Sequence, residues 1–325
     1  MSRIAMKFDN LINFNKIIFK KVLSLNSLRK PKMITIRGND EKEYKFMVKG
    51  GEDQRQDQRI ELLFDFMNDL MRSDSQCYKR NLSIRTYQVI PMTKKVAIIE
   101  WINNTRTFKD VIRYALEQEC NETSRRVDLM QKISQSYVNY ITSATTYKKT
   151  QPISASEYYC NVFLNYKREH VSEKFEEIQN ILPPDLFRRY IRSMSNSTEG
   201  YFLLRNQFIV SYAVVSICQY VLGIGDRHLN NMMIDTKTGQ AVCIDFGQAF
   251  GHSTIQLSIP ELMPIRLTRQ LVKLNAPLEQ NGVLEATMIH TLNALRENND
   301  LLLCILDVFI KEPSIDWIVS LIKFF

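Results

Sequence analysis

The sequence has no closely spaced pair of cysteines. Its six, Cys77, Cys120, Cys160, Cys218, Cys243 and Cys304, are scattered, without the close spacings of a zinc site or a disulfide framework, and they read as reduced intracellular thiols. There is no tandem repeat and no low-complexity linker, which excludes a repeat array or a string of tethered modules. The positive charge is dispersed and no nucleic-acid-binding motif is present, so nothing in the chain reads DNA directly. Apolar residues near the amino terminus are interrupted by Lys16, Lys20 and Lys21 with no small-residue cleavage site after them, so no secretion signal is expected.

What is present is a chain of 325 residues, 45% hydrophobic, enough for one large domain or two lobes, with a net charge of +8 that favours an anionic partner. The run "FIVSYAVVSICQYVLGIG", 208 to 225, approaches a bilayer span in length. Ser211, Ser216, Gln219 and Tyr220 are scattered through it, and a polar motif follows at once. It reads as a helix buried in a soluble core.

Residues 11 to 25, with apolar Leu11, Phe14, Ile18, Val22 and Leu25 opposite lysines, have the spacing of an amphipathic helix. "MITI" and "YKFMV" flank the turn-rich "RGNDEKE" and predict a hairpin ending at Lys49. A helix then starts near Asp57 and aligns Ile60, Leu63, Phe64, Met67 and Met71 on one face. "LSIRTYQVI" and "VAIIEWI" predict two further strands joined by a turn containing Pro91. The pattern is β-rich to about residue 102 and mostly helical afterwards, with 121 to 180 polar enough for loops or an insertion.

The densest chemistry lies in "GIGDRHLNNMMIDTKTGQAVCIDFGQAFG", 223 to 251. "NMMI" and "QAVCI" predict a hairpin through "DTKTG", which would bring Asn231 and Asp245 to neighbouring positions roughly 5 Å apart. Amide and carboxylate oxygens suit a hard ion such as Mg²⁺ that completes its shell with phosphate and water. Asp226, on the loop before them, is placed to accept a hydroxyl proton, and His228 to donate to charge developing on a transferred phosphoryl group. Lys49 is the candidate to grip the phosphates from the other lobe, oriented by Asp57. Met233, Ile244 or Trp101 taken singly reads equally well as core, and His228 alone reads more readily as a structural histidine; Asp226, Asn231 and Asp245 together need a common purpose.

The order of these groups is that of kinases. "GDRHLNN" nevertheless reverses the Asp and His of the usual H-R-D motif, and no G-x-G-x-x-G loop precedes Lys49. In this, and in "SLRKP", "VKGGEDQRQDQRIELLFDFMN", "RTYQVIPM", "IEWINNT", "IDFGQAFG", "PELMPIRLTRQ" and "DVFIKEPSIDW", the chain resembles the phosphatidylinositol 3-kinase-related protein kinase family from about residue 27 to 317. The resemblance implies an α+β, two-lobed protein-kinase-like fold of the PI3/PI4-kinase type. Residues 1–26 would be an N-terminal helical extension, 27–102 a small β-rich N-lobe, and 103–325 a larger, mainly helical C-lobe. Ser27, Leu28 and Arg29 would cover the ATP phosphates, Lys49 would contact them and Asp57 would support it. Glu100, Trp101 and Ile102 would be the hinge to adenine, with Tyr87, Met233 and Ile244 also walling the pocket. Asp226 would be the base, His228 the transition-state stabiliser, and Asn231 and Asp245 the Mg²⁺ (or Mn²⁺) ligands. Residues 245 to 268 would be the activation segment, where Gln248 replaces the His expected after Phe-Gly.

The implied function is ATP-dependent serine/threonine phosphorylation in the DNA-damage response, on Ser/Thr-Gln sites, in a nuclear protein brought to DNA ends by the Ku heterodimer, with no membrane partner. A lipid kinase of the same superfamily is the alternative. It should carry basic residues in the activation segment to meet inositol phosphates, and residues 247 to 265 contain neither Lys nor Arg. A second alternative is a catalytically silent fragment acting as a binding module, because FAT and FATC counterparts are not recognisable and the last residues, "IVSLIKFF", are apolar.

Overall fold

A computed structural model describes residues 18–24, 30–38, 40–119, 165–257, 261–263 and 265–311, with isolated positions 132, 133, 135, 136 and 139. The chain divides into two compact units. One comprises the described residues within 1–78, 84–104 and 294–325; the other comprises those within 79–83 and 105–293.

The first unit is built on an antiparallel sheet in the order β1-β2-β3-β5-β4. Its strands are β1 (Ile18–Ser24), β2 (Lys32–Arg37), β3 (Glu43–Gly50), β4 (Val89–Thr93) and β5 (Val96–Glu100). β2 and β3 form the hairpin expected from their β-prone runs, and Glu41 takes the left-handed φ of +62° in the turn. The expected helix over 11–25 is corrected in its second half. Ile18–Ser24 is strand β1, paired along β2, while 11–17 lie outside the described residues. Over seven residues apolar spacing does not separate helix from strand, and here the open edge of β2 takes up the backbone groups.

Helix α1 (Arg55–Ser73) begins two residues earlier than expected and buries Ile60, Leu63, Phe64, Met67 and Met71, the face its periodicity marked. The short helix α2 (Ser75–Lys79) follows. The strand expected over 82–90 is corrected. Only Val89 and Ile90 of this run join β4; Leu82–Gln88 is not strand, and Gln88 O meets the sheet through Glu100 N. Side chains take its backbone groups instead. The Asn68 amide donates to Ile84 O at 2.9 Å and accepts from Ile84 N at 2.7 Å, and Glu61 Oε2 accepts from Tyr87 N at 3.0 Å. Thr86 Oγ1 donates to Asp65 Oδ1 at 2.7 Å, so three side chains over about two turns of α1 serve as the missing strand. Pro91 is likewise not in the turn. It sits within edge strand β4, where its missing N–H breaks no inner ladder, and Lys94 and Lys95 make the turn.

The second unit holds the sheet β6 (Thr105–Thr107), β7 (Met232–Asp235) and β8 (Ala241–Cys243). Its helices are α3 (Phe108–Glu119), α4 (Arg168–Ile181), α5 (Leu186–Met194), α6 (Thr198–Val221), α7 (His252–Gln256) and α8 (Arg269–Leu274). Helix α9 (Val283–Glu297) carries the chain from the second unit back to the first, which also holds α10 (Asn299–Ile310). The apolar run read as a core helix lies in α6. By length and composition α6 could cross a membrane, but 56% of its most apolar window is buried in the protein. Phe208 packs against Phe187 at 4.9 Å between ring centroids and stacks on Tyr212 at 5.7 Å, and Phe108 meets Phe187 edge-on at 5.0 Å. Ser211 Oγ accepts from Ala241 N at 2.9 Å, which ties α6 to β8 and satisfies the buried hydroxyl. The whole is a mixed α+β protein.

Candidate active site

The β7–β8 hairpin pairs Met232 with Cys243 and Ile234 with Ala241. Its turn closes because Asp235 Oδ1 accepts from Lys237 N at 2.8 Å and Thr238 N at 3.2 Å, with Gly239 at φ +79°. A Cβ at Gly239 would lie 2.5 Å from Leu204 O, so no other residue fits that approach. At the open end the pairing continues one step, with Ile244 N donating to Asn231 O at 3.0 Å. Asn231 and Asp245 therefore leave the hairpin side by side, Asn231 buried and Asp245 exposed at φ +62°.

The loop from Gly223 to Asn230 is folded onto this end. Asn231 Nδ2 donates to Asp226 O at 3.1 Å and Asn231 N to His228 O at 3.0 Å. The first bond commits the amide nitrogen, so Asn231 presents its oxygen to a ligand. Beside the carboxylate of Asp245, this donor pair fits a hard divalent ion that takes its other ligands from phosphate and water. Asn230 N donates to His228 Nδ1 at 3.2 Å, which places the proton of a neutral imidazole on exposed Nε2, the donor a phosphoryl oxygen needs. Asp226, half-buried, has φ +57°.

Arg227, between the two predicted catalytic residues, is buried with 3% exposure and turns inward. Its guanidinium donates to Gly225 O at 2.8 Å, to Ile244 O at 3.0 Å and to Asp245 O, and lies over the Phe246 ring. One side chain thus joins the loop to the exit of the hairpin. Glu261 accepts from Asp226 N and Arg227 N. Sequence reasoning missed both residues. Arg227 looked like a spacer in "DRH", and Glu261 stood in "PELMPIR" with no periodicity to single it out.

In the first unit Lys49 lies on β3 opposite Ala97, and its Nζ pairs with Glu52 at 2.9 Å. Gln54 Nε2 steadies that carboxylate from 3.2 Å. Glu52 is a further residue that was missed, although its place three after the lysine in "KGGE" could have signalled it. Asp57 is buried in the first turn of α1. Tyr87 is buried, and Glu100, Trp101 and Ile102 are half-buried. Glu100 N donates to Gln88 O at 2.8 Å and Trp101 N to Lys45 O at 3.0 Å, so these two N–H groups of the expected hinge serve the sheet. Burial pushes the Glu61 carboxyl well above the usual glutamate range; Asp65, Asp57 and Glu100 add to the rise, against the bond from Tyr87 N. Met233 and Ile244 are half-buried in the second unit. Ser27, Leu28 and Arg29 lie outside the described residues. The structure thus gathers Asp226, His228, Asn231 and Asp245 within one unit and Lys49, Asp57, Tyr87 and Glu100 within the other.

The family model described as phosphatidylinositol 3- and 4-kinase matches residues 43–319. The DNA-dependent protein kinase catalytic subunit of Dictyostelium discoideum is 44% identical over 298 residues, which cover 91% of this chain and 7% of that protein. The Gallus gallus protein of the same name is 44% identical over 92% of this chain and 7% of its own length. The Target of rapamycin homolog of Caenorhabditis elegans is 30% identical over 91% of this chain and 10% of its own length. Among solved structures, the FAT and kinase domain of CtTel1 superposes with a TM-score of 0.73 at 28% identity, over 90% of this chain and 19% of that one. The chain therefore spans about one fourteenth of the DNA-dependent relatives it matches, 7% of each. With its reversed Asp-Arg-His loop, its Asn and Asp side by side and a match over most of its length, the chain belongs to the phosphatidylinositol 3- and 4-kinase family.

Proposed function

We propose that this chain is the catalytic domain of a serine/threonine protein kinase that transfers the γ-phosphoryl group of ATP to protein hydroxyls. The observation that carries the reading is the bond from the Asn231 amide to Asp226 O, which ties the candidate base to the candidate ligand pair. Asp226 accepts the proton of the attacking serine or threonine hydroxyl as that oxygen bonds to phosphorus and the bond to ADP breaks. His228 donates from Nε2 to a phosphoryl oxygen as charge builds there. Lys49, its ammonium oriented by Glu52 with Asp57 in support, contacts the phosphates. Asn231 and Asp245 hold Mg²⁺ or Mn²⁺, which when bound neutralises charge on the phosphates. Glu100 to Ile102, Tyr87, Met233 and Ile244 bind adenine, and Ser27 to Arg29 cover the phosphates. Residues 27–102 and 103–325 serve as the two lobes.

The DNA-dependent relatives extend the proposal to Ser/Thr-Gln sites, to end joining in the nucleus and to recruitment at DNA ends through the Ku heterodimer by a longer protein. A protein substrate is favoured over a lipid because residues 247 to 265 hold no lysine or arginine to meet an inositol phosphate. The test offers the purified chain a Ser-Gln peptide and a phosphoinositide vesicle side by side, with Asp245→Asn as control. Peptide phosphorylation that the substitution abolishes is expected; turnover of lipid alone, or equal background from both proteins, overturns the reading.

A further inference from the structure

Three consecutive backbone N–H groups of the loop before the hairpin point at one downstream segment. Gly225 N donates to Gln248 O at 2.8 Å, Asp226 N to Glu261 Oε2, and Arg227 N to Glu261 Oε1 at 3.4 Å. A single carboxylate, thirty-five residues after Asp226, takes the two N–H groups that flank the Asp226 side chain's own Cα. Asp226 is held there at φ +57°, a left-handed conformation that an L-aspartate keeps only when its surroundings impose it.

Glu261 is itself anchored. Its N–H donates to Ser253 O at 3.3 Å and its carbonyl accepts from Thr254 Oγ1 at 3.3 Å. The approach is close enough to dictate the neighbouring residue. A Cβ at Gly225 would stand 2.0 Å from Ser253 Oγ and 2.7 Å from Glu261 Oε2, so only glycine lets the segment close on the loop. Leu262 and Met263, the next two residues, are 67% and 74% exposed. Glu261 is therefore turned inward beside two residues that face solvent, with a charge that its two backbone donors hold in place.

We infer that Glu261 is a positioning residue for the reaction, a latch whose carboxylate sets the backbone of Asp226. The inference rests on the kinase reading for its effect on rate, but the latch itself is a property of the fold. Displacing Glu261 frees the Asp226 and Arg227 amides and lets the carboxylate of Asp226 swing, while the residues assigned to nucleotide are untouched. Rate then falls without loss of ATP affinity, a split that general unfolding does not produce.

The test uses the full chain with Glu261→Ala, Glu261→Asp and Glu261→Gln. Amide hydrogen exchange and steady-state phosphorylation of a Ser-Gln peptide are measured on each. Glu261→Ala is expected to speed exchange at 226 and 227 about tenfold or more, with the amides of 232–235 and 241–243 unchanged. It should lower kcat on the order of a hundredfold, the scale of an ångström-sized misplacement, with KM for ATP within about twofold. Glu261→Gln, which keeps one oxygen for the Asp226 amide, should recover part of both effects. Glu261→Asp, with the charge but one methylene less reach, should not. Unchanged exchange at 226 and 227 in Glu261→Ala overturns the latch, as does a KM for ATP that rises in step with the fall in kcat. If Glu261→Ala does not fold, Glu261→Asp decides: wild-type exchange and rate there also overturn it. Exchange needs no turnover, so a wild-type chain that phosphorylates nothing sinks the kinase reading and leaves the latch to stand or fall on the amides alone.

Discussion

Residues 82–87 and 223–230 both lie outside the strands, and in both, side chains take up backbone groups; the difference lies in how many elements supply the partners. Ile84 and Tyr87 are met by Asn68 and Glu61, on one regular helix. The loop is met by the side chains of Asn231 and Glu261 and the carbonyl of Gln248, and its own Arg227 reaches Gly225 O, Ile244 O and Asp245 O, so its contacts are spread over a hairpin, its exit and a downstream segment. A stretch held by one rigid element is fixed whenever that element folds. One held by several separate pieces is correct only when all of them are in place, which makes it the natural point for control.

The largest expected effect tests whether the loop's side chains do chemistry rather than hold structure. Asp226→Asn, which keeps a side chain that tolerates the left-handed φ of +57°, should lower kcat about 10²- to 10⁴-fold with the thermal midpoint nearly unchanged, because only its N–H and C=O take part in the bonds described; a parallel fall in melting temperature would break the distinction. Next, Arg227→Leu leaves the carbonyls of Gly225, Ile244 and Asp245 without their buried donor. It should cost about 3 kcal/mol or more in urea unfolding, and a cost within error would mean that the loop does not depend on its inward arginine.

On the helix side, Asn68→Ala strips both backbone groups of Ile84 at once and should cost about 2–3 kcal/mol by the same measurement. Asn68→Asp keeps the acceptor but sets a buried carboxylate against Ile84 O and should cost at least as much. The smallest effect is in pH dependence. Glu61 keeps its proton in the folded chain to higher pH than an unfolded glutamate does, so its contribution to stability is complete below the ordinary glutamate range and is lost as pH rises through its folded value. Urea melts across that range should show wild-type stability declining with pH, a decline that Glu61→Gln lacks; identical slopes would show the carboxyl ionising freely.

What was legible in the residues was local. The β2–β3 and β7–β8 hairpins were visible because turn formers separate β-prone runs, and α1 and α6 because apolar side chains recur with the helical period. The adjacency of Asn231 and Asp245 was legible for the same reason, since a hairpin converts sequence separation into proximity. Glu61 to Tyr87 spans 26 residues and Glu261 to Asp226 spans 35, and no period reports which carboxylate a distant amide will find. The strand expected over 82–88 failed on this point: its composition was right for extended backbone, but a helix supplied the partners. Glu52 was missed for the opposite reason, being so near Lys49 that the turn between them looked like mere punctuation.

Pro91 leaves the sheet's last strand short of a donor, and next to it the pairing of β4 with β5 slips out of step between Pro91 and Thr93. A row of hydrogen-bonding groups that is both interrupted and kinked makes a poor template for a second molecule's strand. Exposed Met92 stands beside it and would otherwise invite such stacking, so this residue protects the chain from joining its own copies edge to edge while it folds.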